Sequence, residues 1–220
     1  MNWLTPAMVD LLVEGFSETL VMVGASAAIA VALGLPLALL LHATGPGGLS
    51  PRPWMNRPLG LLVNAVRSTP FIILMVAIVP FTRLVAGTSI GTGAAVVPLA
   101  LAATAFLARL FENALREVEP GVIEAARAMG ATRMQIVTKV LVPEALPGLI
   151  AATTVALVSL VGFSAMAGAV GGGGLGDLGI RFGYQRFMPE VMLTVVLVLI
   201  LFVQGLQSLG DWLVRRLSRR

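Results

Sequence analysis

Four stretches of this chain, 19–51, 84–108, 145–176 and 191–210, contain no aspartate, glutamate, lysine or arginine. Crossing the hydrocarbon core of a bilayer takes roughly 20 apolar residues in a helix, and each stretch is long enough. A fifth, 59–82, is interrupted only by Arg67. Lipid offers no partner to a backbone N–H or C=O, so a crossing segment must close its hydrogen bonds internally. Composition agrees: 57% of residues are hydrophobic and 12% charged, with a mean hydropathy of +0.94. The expected fold is an all-α membrane protein with about five transmembrane helices, near 15–41, 59–85, 92–112, 148–168 and 190–213. They form a single domain over 13–207, with no separate soluble lobe and a short basic tail at 214–220.

Charge sets the expected orientation. Five spans place the termini on opposite sides, and Arg215, Arg216, Arg219 and Arg220 mark the C-terminal end as cytoplasmic by the positive-inside rule. The connections at 43–58 and 119–148 then face the cytoplasm as well. Twelve of the fifteen basic residues fall on that side, leaving Arg83, Arg181 and Arg186 outside. The N-terminal segment carries Asp10, Glu14 and Glu18 and no basic residue before Arg52, so it is placed outside. A secretory signal would need a positive leader and a shorter apolar core; this segment reads as the first span.

Several chemistries are excluded or set aside. Cysteine is absent, which removes disulfides and thiolate metal sites. The arginines sit at membrane edges without interleaved aromatics, so no nucleic-acid partner is expected. His42 stands alone at a helix end and reads as an interfacial side chain rather than a metal ligand. Gly174-Leu-Gly176-Asp-Leu-Gly179 satisfies G-x-G-x-x-G, but that pattern binds dinucleotides only between a strand and a helix. The six glycines from Gly168 to Gly176 read instead as a non-helical turn at the outer mouth of the bundle. Arg67 reads as a side chain snorkelling to the nearby cytoplasmic face. No nucleophile–base pair, no acidic or histidine cluster within a span and no Walker A sequence is present, so an enzyme is not expected. Phe163, Ser164 and Met166 lie in the small-residue fourth span and are candidates for a pathway or gate.

The long charged stretch, EPGVIEAARAMGATRMQIVTKVLVPEALPG (119–148), has its own local logic. Pro120 suits a first helical turn. Val122, Ala125, Ala126 and Met129 recur at helical spacing, with Glu124 and Arg127 off that stripe. Gly130 supplies a left-handed stop. Thr132 and Gln135 fit a capping box, which starts a second helix running towards Pro143. The result is a rigid elbow. Periodicity alone leaves equally open an amphipathic helix pair lying on lipid headgroups.

Glu124-Ala125-Ala126 followed by Gly130 and Leu141-Val142-Pro143 resembles the EAA loop of ABC importer permeases. The runs RSTPFIIL (67–74), GTSIG (87–91), ARAMGATRMQIV (126–137), LVPEALPGLI (141–150) and GGGGLGDLG (171–179) are similar to methionine ABC importer permeases within that group. The resemblance implies a type I importer permease fold in a bacterial inner membrane. It also implies a second copy of the chain, two copies of an ATPase subunit that binds the ATP, and an external methionine-binding protein. The chain itself would hold no cofactor or metal. The coupling residues it implies are Glu124, Ala125, Ala126, Arg127, Gly130 and Arg133, within a cytoplasmic loop at 119–143. Another amino acid as substrate, or an ion-coupled secondary carrier, are the alternatives.

Overall fold

The computed structural model describes residues 5–218. Arg219 and Arg220 of the expected basic tail lie outside the described residues. Ten α-helices follow in chain order, and among the described residues there is no strand. Helix α1 (Pro6–Thr44) starts on the Thr5 hydroxyl, which accepts from the Met8 N–H at 3.3 Å, with Pro6 in the first turn. It pairs with α5 (Thr92–Arg116) through small side chains: Ala27, Ala30 and Ala38 pack against Ala95, Leu99, Ala103 and Leu107. Small faces let two backbones approach closely where lipid supplies no hydrophobic drive.

The stretch 59–85, expected as one span, is three helices. Helix α2 (Pro53–Ser68) and α3 (Phe71–Ala77) meet at a bend of 108°, and α4 (Val79–Ala86) follows. Pro70 explains the bend. It pushes the preceding residue out of the helical region, and Thr69 is extended at φ −84°, ψ 126°. The other four expected spans fall within α1, α5, the rod that contains α8, and α10.

That rod is longer than its apolar core. Helix α6 (Pro120–Ala128) ends at the elbow, α7 (Arg133–Ile136) begins after it, and the chain then runs helically into α8 (Val142–Ala167). Pro143 does not end the helix. A π-helical turn at Val137–Leu141 precedes it, in which the Val142 N–H reaches back five residues to the Val137 carbonyl. The extra residue absorbs the carbonyl clash and missing donor that a proline brings into a helix.

After α8 the glycine-rich segment turns back on itself. Val170 is non-helical, and Gly171, Gly173 and Gly174 have φ of 95°, 79° and 80°. Short helix α9 (Gly174–Leu178) packs against the end of α8 so closely that a Cβ at Gly176 would overlap the Ala165 backbone. The hairpin is pinned from elsewhere in the bundle. Glu18 accepts from the Gly174 N–H at 2.6 Å, Thr19 accepts from the Leu175 N–H at 2.9 Å, and the Gly91 N–H donates to the Gly171 carbonyl at 2.8 Å. The G-x-G-x-x-G string therefore forms α9 itself and the start of the next helical turn, with no strand before it. A π-helical turn, Gly179–Tyr184, leads to α10 (Pro189–Leu217), which lies along α8.

Candidate functional site

The elbow between α6 and α7 is built almost wholly from local rules. The Ala131 N–H donates to the Ala126 carbonyl at 3.1 Å and the Gly130 N–H to the Arg127 carbonyl at 2.9 Å. Those two bonds around a left-handed Gly130, φ 81°, are a Schellman closure. One residue on, Thr132 and Gln135 make the reciprocal capping box: the Thr132 N–H donates to Gln135 Oε1 at 2.8 Å and the Gln135 N–H to Thr132 Oγ1 at 3.4 Å. Stop and start abut, so the angle between the two helices is fixed by local hydrogen bonds.

Burial separates the elbow into an anchor and an outward plateau. Ala126 and Ile136 are buried, and half-buried Ile123 and Val142 pack onto the main core. Ala126 thus seats the elbow on its own bundle. Glu124, Ala125, Arg127, Gly130 and Arg133 are exposed. Arg133 also reaches Ser50 Oγ at 3.3 Å, tying the elbow to the connection between α1 and α2 at the same end of the bundle. Two large apolar side chains stand out on the plateau, Met129 at 82% exposure and Met134 at 71%. Single exposed apolar residues are ordinary, but two adaptable thioethers among charges suit a protein–protein contact. Met134 drew no attention in the sequence because it sits off the EAA stripe.

Behind the elbow lies a buried charge cluster. Glu112, 1% exposed, accepts from Arg109 at 2.6 Å and from Arg116 at 2.5 Å. Arg109 also donates to Asn64 Oδ1 at 3.1 Å and to the Gly60 carbonyl at 2.9 Å, fastening α2 to α5. The Arg-x-x-Glu-x-x-x-Arg spacing, one face of a helix, was the available signal.

The three pathway candidates are not brought to one surface. Ser164 is buried and donates to its own helix at the Val161 carbonyl, 2.8 Å away. Met166 is exposed on another side of α8. Phe163 stacks on Phe71 with ring centroids 4.8 Å apart and planes 14° from parallel. Both rings line a crevice with Arg67, Thr69, Ala102 and Phe106. At the opposite end, Glu14, Glu18, Asp177 and Arg181 border a second crevice beside the glycine hairpin, with Arg181 paired to Asp177 at 2.7 Å. Among the described residues no group of three or more histidines and carboxylates could hold a metal ion.

The comparisons agree with this architecture over nearly the whole chain. A probable D-methionine transport system permease protein, MetI, of Vibrio cholerae serotype O1 is 53% identical over 96% of this chain and 94% of its own. The corresponding protein of Pasteurella multocida is 46% identical over 99% of this chain and 100% of its own. A solved structure of the MetNI methionine ABC transporter in an inward-facing conformation superposes with a TM-score of 0.95 at 50% identity, covering 97% of this chain and 99% of that one. An amino acid ABC transporter solved with histidines shares the fold at 20% identity, with a TM-score of 0.79 over 94% of both chains. The family model for binding-protein-dependent transport system inner membrane components matches residues 30–220. This chain belongs to that family of inner membrane transport components.

Proposed function

We propose that this chain is the membrane-spanning subunit of an ATP-driven importer for methionine, D or L, and that it works by alternating access. The observation that carries the reading is the elbow: a backbone-locked pair of helices that presents charges and two methionines away from the bundle. Such a surface suits a docking subunit that hydrolyses ATP, and the sequence of this chain contains no Walker A motif. The substrate follows from relatives of about half identity over nearly full length, which are named for methionine transport. In this scheme two copies of the chain associate with two copies of an ATPase subunit. An external binding protein delivers methionine to the end bearing the glycine hairpin. Closure of the ATPase pair pushes on Glu124, Ala125, Arg127 and Arg133, and the continuous rod from Arg133 to Ala167 carries the motion across the membrane.

Transport in reconstituted vesicles tests this directly. Methionine uptake should require the partner ATPase, its nucleotide and the binding protein, and should persist when ion gradients are collapsed. Uptake that follows a proton or sodium gradient without ATP would establish an ion-coupled carrier instead, and preference for a different amino acid would change the substrate.

Orientation is tested separately. The chain has no cysteine, so single-cysteine variants report without background. Cysteines replacing Ser50 and Ser218 should resist an impermeant thiol reagent added outside, while one replacing Thr88 should react. Outside labelling at position 218 would reverse the orientation and remove the elbow from the cytoplasm.

A further inference from the structure

Arg67 lines a crevice against helix α5. Helix α5 has 25 residues, about 37 Å at 1.5 Å per residue. Ala102 and Phe106, which line the crevice with Arg67, stand roughly 15 and 21 Å from its Thr92 end. Arg67 therefore borders a crevice that lies beside the middle of α5. Its guanidinium makes no hydrogen bond or ion pair among the described residues. A charged group within a membrane-crossing stretch faces a protein cavity or water-filled space and marks a pathway far more often than it decorates lipid. It also sits at the 108° bend at Thr69 and Pro70 between α2 and α3. Irregular backbone at membrane depth is tolerated where it lines a cavity, and interrupted helices are the usual place for substrate in membrane carriers.

Three features define what the crevice takes. Its volume is about 210 Å³, below the ~300–1,000 Å³ of sites for drug-sized ligands and suited to a single amino acid. Its walls are Phe71, Phe106 and Phe163, the first and last already stacked; aromatic rings make favourable contacts with a thioether. Its polar side chains, Arg67 and Thr69, both come from the α2–α3 break. Arg67 offers a fork that matches a carboxylate. The Thr69 hydroxyl gives its proton to the Ala65 carbonyl at 3.0 Å, so its oxygen remains an acceptor for an ammonium. An acyl chain would need a long groove rather than a short walled crevice.

We propose that the crevice at the α2–α3 break is a passage site for one zwitterionic thioether amino acid, its carboxylate held by Arg67 and its thioether laid against Phe71, Phe106 and Phe163. The proposal rests on the methionine-import reading above and adds a substrate contact within the membrane subunit itself.

The test uses the complex of this chain with its ATPase, in nanodiscs containing phosphatidylglycerol, and a photoactivatable diazirine analogue of methionine. Crosslinks should map to peptides containing Phe71, Phe106 or Phe163 and disappear with excess methionine. In vesicles, Arg67→Gln should lower methionine uptake about tenfold or more, mainly through a higher KM, while ATPase stimulation by the binding protein stays normal. Arg67→Lys should recover part of that uptake. Phe163→Leu should weaken the preference for methionine over leucine. Crosslinks elsewhere, or crosslinks displaced by anionic lipid and not by methionine, would overturn the proposal. So would wild-type uptake in Arg67→Gln, or loss of ATPase stimulation together with uptake, which marks a structural role. Failure of the wild-type complex to import methionine would instead overturn the functional reading, and the crosslinking map would still report on the crevice.

Discussion

Replacing Glu112 with alanine should destabilise the bundle by about 3 kcal/mol, the largest loss expected from any single polar substitution in this chain. The side chain is 2% exposed and receives both Arg109 and Arg116. Breaking a buried ion pair from one side typically costs about 3–5 kcal/mol, because the partner charge is left without compensation. The lower end applies here. Arg116 is 57% exposed, so water screens its share, and Arg109 keeps Asn64 and the Gly60 carbonyl. Thermal unfolding of the purified protein in detergent, followed by tryptophan fluorescence, reads the effect. Glu112→Gln should lose less, since one oxygen still accepts. The double variant Arg109→Leu with Glu112→Leu should recover much of the stability, as apolar replacements of buried pairs often do. An unfolding temperature for Glu112→Ala equal to wild type would show that the cluster adds nothing, and that α2 is held by packing of Val63 and Leu59 against Leu41 and Ala108 alone.

That cluster also marks where sequence stops being sufficient. The elbow was legible residue by residue: Pro120, Gly130, Thr132 and Gln135 each act within four positions, and the structure uses all four for those ends. The apolar stretches were legible because crossing lipid imposes length and excludes charge. Glu112 was not, because its role depends on α2 lying across the same face of α5. The spacing places Arg109, Glu112 and Arg116 on one helix face, but nothing in it shows that Asn64 and Gly60 of α2 close over them. The same holds for Glu18 and the glycine hairpin, which meet across 156 positions of sequence.

Proline shows the boundary in miniature. Pro70 and Pro143 both stand in or beside helical stretches, where a proline opposes continuation of the helix. Pro70 produces a sharp bend, whereas Pro143 is absorbed by a π-helical turn and the rod continues. The local rule gives the same conflict in each case, a missing donor and a carbonyl clash. What differs is the surroundings. Leu141 and Ala145 are buried against α5 on either side of Pro143, so packing favours continuity there. Pro70 is exposed, with a crevice beside the preceding Thr69. A bend at Pro70 and a straight rod through Pro143 give the molecule one interrupted helix beside Arg67 and one long lever behind the elbow. Those two features carry the functional proposals.

The lever is only as stiff as its corner, and Gly130→Val should therefore abolish most substrate uptake while leaving the protein inserted and assembled. Gly130 has φ 81°, and nothing lies within 4 Å of where a Cβ would stand. The valine would find room, and the cost is in the backbone alone: about 1–2 kcal/mol for a left-handed conformation, at least as much for a β-branched residue. Energy on that scale lowers the fraction of elbows in the closed geometry by a factor of about 5–30, because leaving it also gives up the Ala131–Ala126 and Gly130–Arg127 bonds. Gly130→Asn is the discriminating control, since asparagine tolerates the left-handed region and should retain most uptake. Glu124→Lys should fail by another route, reversing a charge on the exposed plateau without disturbing the corner; its loss should be suppressed by changes in the ATPase subunit and not in the spans. The measurements are methionine uptake, binding-protein-stimulated ATPase activity, and recovery of assembled complex from membranes. Loss of uptake and stimulation in Gly130→Val with normal recovery, and near-normal behaviour in Gly130→Asn, would tie coupling to the shape of this corner. Normal uptake in both Gly130→Val and Glu124→Lys would make 119–143 a surface helix pair with no part in transport.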